Sequence, residues 1–97
     1  MNQSKLDVRH LQVIEAVQRL GSVTRAARSL GLTQPAVSHA LREITRRLEV
    51  EVVVPNGRGI KVTATGERLA HRARSILDAL VDAEDEIRAL AGGEGSR

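Results

Sequence analysis

A chain of 97 residues with no cysteine, no aromatic residue and no apolar run of about 20 residues excludes several classes at once: disulfide scaffolds, cysteine-bound metals, single-strand binders that stack bases on aromatic rings, and bilayer-spanning helices. Its net charge of +3 is unevenly spread. Residues 1–63 carry ten Lys and Arg against five Asp and Glu, whereas residues 64–97 carry five against seven. The first part therefore suits a phosphate backbone as partner, and the second reads as a solvated helix.

In chain order, Leu11, Ile14, Val17 and Leu20 recur at three-residue steps and predict a helix over 8–20, capped by Asp7 and ended by Gly21. Ser22 caps a second, short helix whose inner face is Val23, Ala26, Ala27 and Leu30, stopped by Gly31. Thr33 caps a third, with Pro35 in its first turn, where a missing N–H costs nothing, and a buried stripe of Val37, Leu41, Ile44 and Leu48. The period then changes. EVVVP (51–55) and IKVT (60–63) read as two short strands around the turn residues Asn56-Gly57-Arg58-Gly59. Thr63 caps a long helix running to about Ala91. In it Leu69, Ala73, Ile76, Leu80, Ala83, Ile87 and Leu90 recur at alternating steps of four and three, the seam of a coiled coil, so a partner helix is expected along the whole of it. Residues 92–97, GGEGSR, read as a flexible tail.

The expected fold class is mostly α: a winged helix-turn-helix of three helices and a two-stranded hairpin over 1–63, followed by a dimerising helix over 64–91. The stretch from Gly21 to Ile44 carries the chemistry. Two helices joined by a glycine-containing turn, the second opening on polar residues, form a helix-turn-helix pattern. The major groove admits one helix, whose N-terminal residues meet base edges. Gln34, Ser38 and Arg42 are four apart and share the face opposite the core stripe, with Pro35, Ala36 and His39 beside them. Gln pairs with adenine, Arg with guanine, and Pro35 and Ala36 can touch a thymine methyl. Arg9, His10, Ser22, Thr24, Arg25, Arg28, Thr33 and Lys61 are candidate backbone contacts, and Arg58, flanked by glycines at the hairpin tip, is a candidate for the minor groove. His39 is read as lacking an acidic partner at helical spacing and so as a DNA contact, not a metal ligand or a general base. His10, His39 and His71 show no metal-ligand spacing, and no cofactor is expected. MNQSKLDVRH has no apolar signal-peptide core, so a cytoplasmic protein is expected.

Residues 8–66 resemble the N-terminal domain of LysR-type transcriptional regulators. The likeness runs from the opening RHL through GSVTRAARSLGLTQPAVSHALREI to the hairpin and TATGE, and its most specific part is Ala26-Ala27, Leu30 and Thr33 to Ser38. The resemblance implies a winged helix-turn-helix on a homodimer that reads an inverted repeat in double-stranded DNA. Thr33, Gln34, Pro35, Ser38, His39 and Arg42 match the contacting positions, with Arg58 in the wing. It further implies that the long helix pairs antiparallel with its mate, that the full-length protein can form a tetramer as many members do, and that a small-molecule effector acts through a C-terminal domain absent from this chain. Five positions depart from the pattern. Val23 and Val53 stand where the family usually has Phe, Pro55 where it has Arg, and His39 where many members have Arg. Glu49 replaces the usual helix-ending Gly, which predicts a different termination of the third helix. Two other classes remain to be weighed. A protein-association module would tend to expose apolar residues where Gln34, Ser38 and Arg42 stand. An enzyme would need paired carboxylates, an activated nucleophile, a phosphate loop or a metal cluster, and the sequence offers none.

Overall fold

Polar caps start the first three helices where the sequence places them. Residues 3–95 are described in the computed structural model, with α1 (Val8–Leu20), α2 (Val23–Leu30), α3 (Gln34–Leu48), β1 (Val53–Asn56), β2 (Gly59–Val62) and α4 (Ala64–Gly95) in that order. The Asp7 carboxylate accepts from the His10 N–H at 3.1 Å, and the Asp7 N–H donates to His10 Nδ1 at 3.0 Å. Together they make a capping box in which histidine takes the place usually held by Glu or Gln. Ser22 Oγ accepts from Arg25 N–H at 3.1 Å and Thr33 Oγ1 from Ala36 N–H at 3.2 Å. Thr63 does two jobs at the start of α4: its hydroxyl donates to the Glu51 carbonyl and accepts from the Gly66 N–H, tying the helix to the chain before β1.

The core is aliphatic and small. Val13, Ile14 and Val17 of α1, Val37 and Ile44 of α3, and Val52 are almost wholly buried. Each such side chain contributes about 1.5–3 kcal/mol through its removal from water. Alanines at 16, 26, 27, 40, 70 and 73 complete the core and let helix axes approach closely. The hairpin is antiparallel, with Val53 opposite Val62 and Asn56 opposite Gly59 around the two-residue turn Gly57-Arg58. Gly57 has φ +63° and Arg58 does not share it, the pattern of a type II′ turn. Pro55 pairs with Ile60 and is tolerated because each strand of a two-stranded ribbon has a free edge. Gly66, in the first turn of α4, lies so close to the hairpin that a Cβ there would collide with the Val52 carbonyl oxygen and sit 2.8 Å from Val62 Cγ1.

Three expectations about the long helix need correction. Its seam is split. Ala73 is fully buried, so it is not free for a partner helix, and half-buried Leu69 packs against the same core together with Ala70. Ile76, Leu80, Ala83, Ile87 and Leu90 are exposed. The reason is geometric: α4 lies along α1, its main packing partner, and Arg74 meets Glu15 across that contact at 3.6 Å. The boundary drawn at 63 therefore cuts through the core, and the first turns of α4 belong to the winged domain. Finally, residues 92–95 of the expected tail are helical. The helix continues through Gly95, and residues 96–97 lie outside the described residues. Glycine costs about 1 kcal/mol per helical position, but extending an existing helix needs no new nucleus. Among the described residues no helix is long and apolar enough to cross a membrane.

The end of α3 also differs from expectation. Glu49 adopts the left-handed conformation, φ +58° and ψ +38°, that Gly21 and Gly31 adopt after α1 and α2. The helix thus stops as it would on glycine, with a side chain in a region that disfavours L-residues by about 1–2 kcal/mol. Glu49→Gly is expected to raise stability by about 1 kcal/mol, seen as a rise of about 5 °C in Tm. An unchanged or lower Tm would mean that the Glu49 side chain offsets its own backbone strain.

Candidate nucleic-acid interface

The α3 face opposite the core stripe is open. Thr33, Gln34, Pro35, Ala36, His39 and Arg42 are exposed, and Ser38 is half-buried. Ser38 is less accessible because it forms part of the floor of a groove between α3 and the hairpin. One stretch of that groove, about 350 Å³, is lined by Ser22, Val23 and Thr24 from the start of α2, Gln34 and Ser38 from α3, and Arg58, Gly59 and Ile60 from the hairpin. Residues as far apart in sequence as Gly21 and Ile60 thus meet on one concave surface. The two cap hydroxyls, Ser22 and Thr33, use their oxygens to accept backbone N–H groups, which leaves each O–H free to donate to a phosphate oxygen. The N-termini of α2 and α3 add their own unpaired N–H groups and positive dipole ends.

Other predicted residues fall elsewhere. Lys61 lines a different hollow, on the side of the hairpin facing Gln18 and Glu67. Arg25 and Arg28 are exposed on α2, and Arg9 is exposed at the start of α1. His10 must be corrected: it is 2 % exposed, its Nδ1 accepts from Asp7 and its Nε2 donates to Glu43 Oε1 at 2.9 Å. Buried and engaged at both nitrogens, it holds α1 to α3 and offers nothing to a phosphate.

His39 needs a correction too. Glu43, one turn further on, places Oε2 3.4 Å from His39 Nε2, so an acidic partner at helical spacing does exist. Glu43 is the residue that sequence reasoning passed over. Its carboxylate also meets Arg47 at 3.3 Å and Arg46 at 3.6 Å, while Arg47 donates to the Lys5 carbonyl at 3.1 Å. The i+4 spacings to His39 and Arg47 were visible in the sequence; the link to His10, 33 positions away, was not.

Two departures from the family pattern also meet here. Val23 and Val53 line one apolar hollow of about 360 Å³ with Leu41 and Ile60, under Ser38, Arg42 and Arg46. With valine at both positions, less bulk stands between the wing and α3 than two phenylalanines would supply.

With the geometry in place, comparison with known proteins decides the family. Residues 8–67 match the family described as bacterial regulatory helix-turn-helix protein, lysR family. The chain belongs to the LysR family. Among curated relatives, the HTH-type transcriptional regulator AbaB of Streptomyces antibioticus is 44% identical over 77 residues, 79% of this chain and 26% of AbaB. Among solved structures, the complex of the CbnR DNA-binding domain with DNA superposes with TM-score 0.80 at 30% identity, covering 89% of this chain and 99% of that one. Full-length CbnR with its target DNA gives TM-score 0.80 at 31% identity, covering 91% of this chain and 31% of CbnR. This LysR-family chain thus spans about a quarter of the length of such curated relatives.

Hydrogen bonding from His10 holds the Glu43 carboxyl below its ordinary value of 4.5, with Arg47 and His39 adding to the effect. A depressed carboxyl contributes stability above its unfolded pKa and loses it as pH falls through the folded value. Thermal melts of wild type and Glu43→Gln should therefore differ in favour of wild type at neutral pH and converge in acid below 4.5. A constant gap down to about pH 3 would show that the carboxylate charge contributes nothing.

Proposed function

We propose that this chain is the DNA-reading part of a dimeric bacterial transcription regulator, which recognises an inverted repeat in promoter DNA. One observation carries the reading: Gln34 and Ser38 of α3, Ser22 and Thr24 at the start of α2, and Arg58 of the wing line a single concave groove. α3 enters the major groove, where Gln34, Pro35, Ala36, Ser38, His39 and Arg42 meet base edges. Arg58 enters the adjacent minor groove. Ser22, Thr24, Arg25 and Thr33 hold the backbone, and Arg9 and Lys61 add charge at the margins. Similarity to a regulator domain crystallised on DNA supports this assignment. A protein that reads chromosomal DNA works in the bacterial cytoplasm.

The dimer forms through the distal part of α4. Ile76, Leu80, Val81, Ile87 and Leu90 are each between 39% and 63% exposed, a row of large apolar side chains with no cover in the single chain. Charge supports an antiparallel pairing. The first half of α4 carries Arg68, Arg72 and Arg74 against Glu67 and Asp78, whereas the second carries Asp82, Glu84, Asp85, Glu86 and Glu94 against Arg88. Antiparallel helices carry the Arg-bearing start of each α4 toward the partner's acidic end; parallel helices would stack the two acidic halves on each other. Tetramer formation and response to a small-molecule effector belong to the length that this chain does not span.

Selection from random duplexes at two salt concentrations tests the DNA reading. The expected result is an enriched inverted repeat and affinity that falls with salt. Gln34→Ala should relax preference at one base position, whereas Arg25→Ala should weaken all sequences alike. Salt-sensitive binding without an enriched motif would reduce the chain to a backbone binder, and equal losses on specific and random DNA for both variants would refute the division of roles.

The dimer has its own test. Ile76→Lys combined with Leu80→Lys should leave helical content intact and shift sedimentation at micromolar concentration from dimer to monomer. Unchanged mass would place the interface elsewhere.

A further inference from the structure

We infer, on the reading of α3 as the groove-facing helix, that Glu43 fixes the tautomer of His39 and thereby selects the class of base that His39 reads. The chain of contacts begins in the core. The Asp7 N–H donates to His10 Nδ1, and the Glu43 carboxylate can only accept, so His10 Nε2 carries a proton and donates it to Glu43 Oε1, 2.9 Å away. That bond fixes the carboxylate, and its second oxygen, Oε2, faces His39 Nε2 at 3.4 Å. The other groups on this oxygen are the Arg46 and Arg47 guanidiniums of α3, while His10 of α1 holds Oε1 and the Asp7 carboxylate faces His10 Nδ1 at 3.2 Å. A carboxylate oxygen repels a ring lone pair and attracts an N–H. The nitrogen of neutral His39 that faces Glu43 therefore carries the proton, and Nδ1 is left as an acceptor. The His39 side chain is 64% exposed, on the open face of α3.

In the major groove only adenine and cytosine present an amino donor, at N6 and N4; guanine and thymine present acceptors alone, and adenine adds an acceptor at N7. His39 with a bare Nδ1 thus favours adenine or cytosine at the position it touches. Glu43 is a positioning residue for this contact and touches no base itself.

The substitution Glu43→Gln inverts the arrangement without removing it. The introduced side-chain amide keeps its carbonyl oxygen toward the His10 N–H, which requires an acceptor. Its NH₂ is then the group that faces His39. A donor opposite Nε2 favours a lone pair there and moves the proton to Nδ1, turning the exposed nitrogen into a donor that suits guanine, thymine or adenine N7 and no longer suits cytosine.

Two measurements on the same chain test this. Long-range ¹H–¹⁵N spectra of the histidine rings, at about pH 8 where histidine is ordinarily neutral, should show His39 protonated on Nε2 in wild type and shifted toward Nδ1 in Glu43→Gln. Site selection with wild type, Glu43→Gln and His39→Ala should show one base position at which guanine or thymine gains over cytosine or adenine, by about tenfold in ratio, in Glu43→Gln. His39→Ala should erase the preference at that position in both backgrounds. An enriched site that neither Glu43→Gln nor His39→Ala alters, or the same His39 tautomer in both proteins, overturns this inference alone. If wild type enriches no site, the DNA reading fails and takes this inference with it.

Discussion

The close contact of Gly66 with the Val52 carbonyl is the constraint on which the arrangement depends. At that point the first turn of α4, the chain entering β1 and the end of β2 share a space too small for a methyl group. Thr63 ties the same three pieces by hydrogen bonds, donating to Glu51 and accepting from Gly66, while its own N–H donates to the Val52 carbonyl at 3.0 Å. Because α4 is seated there, Ala70 and Ala73 fall against α1, and the hairpin is held beside α3 rather than swinging free. The groove between wing and α3 is a product of this seating. Any side chain at 66 would press the hairpin and the helix apart and open the surface on which Ser22, Ser38 and Arg58 meet.

Much of the fold was legible because its signals are local. Caps at Asp7, Ser22 and Thr33, stops at Gly21 and Gly31, and the change to β-branched residues at Val52 each depend on neighbours within a few positions. What was hidden depends on distance. The seam from Leu69 to Leu90 is uniform as a pattern, and nothing in its spacing says that α1 will claim Leu69 and Ala73 while leaving Ile76 onward exposed. His10 looks like a surface residue at the start of a basic helix; only its meeting with Glu43, two helices later, makes it a core residue. Val23 and Val53 looked like two unrelated reductions in size and turn out to border one hollow.

The polar cluster around Glu43 shows how a core without aromatic residues links its helices. Its one buried polar side chain among the described residues, His10, is satisfied at both nitrogens, so its burial carries no unpaired donor or acceptor. The same contact gives α3 a fixed rotation about its axis, since Glu43 can meet His10 only when Val37, Leu41 and Ile44 face inward. A helix offered to DNA must present one face and no other, and here a hydrogen bond across the core reinforces what hydrophobic packing already prefers. Glu49 illustrates the opposite case: the end of α3 keeps its left-handed turn even though the residue there resists it.

The continuity of α4 has a mechanical consequence. One unbroken helix runs from the core of the reading domain to the exposed apolar row, without a proline that could serve as a hinge. The spacing between two reading heads would then be set by the register in which two such helices lie together. A slip of seven residues along an antiparallel seam moves one head relative to the other by about 10 Å, close to three base-pair steps. The ruler for the distance between half-sites would accordingly lie outside the DNA-facing surface altogether, in the choice of which apolar side chains of α4 meet their counterparts.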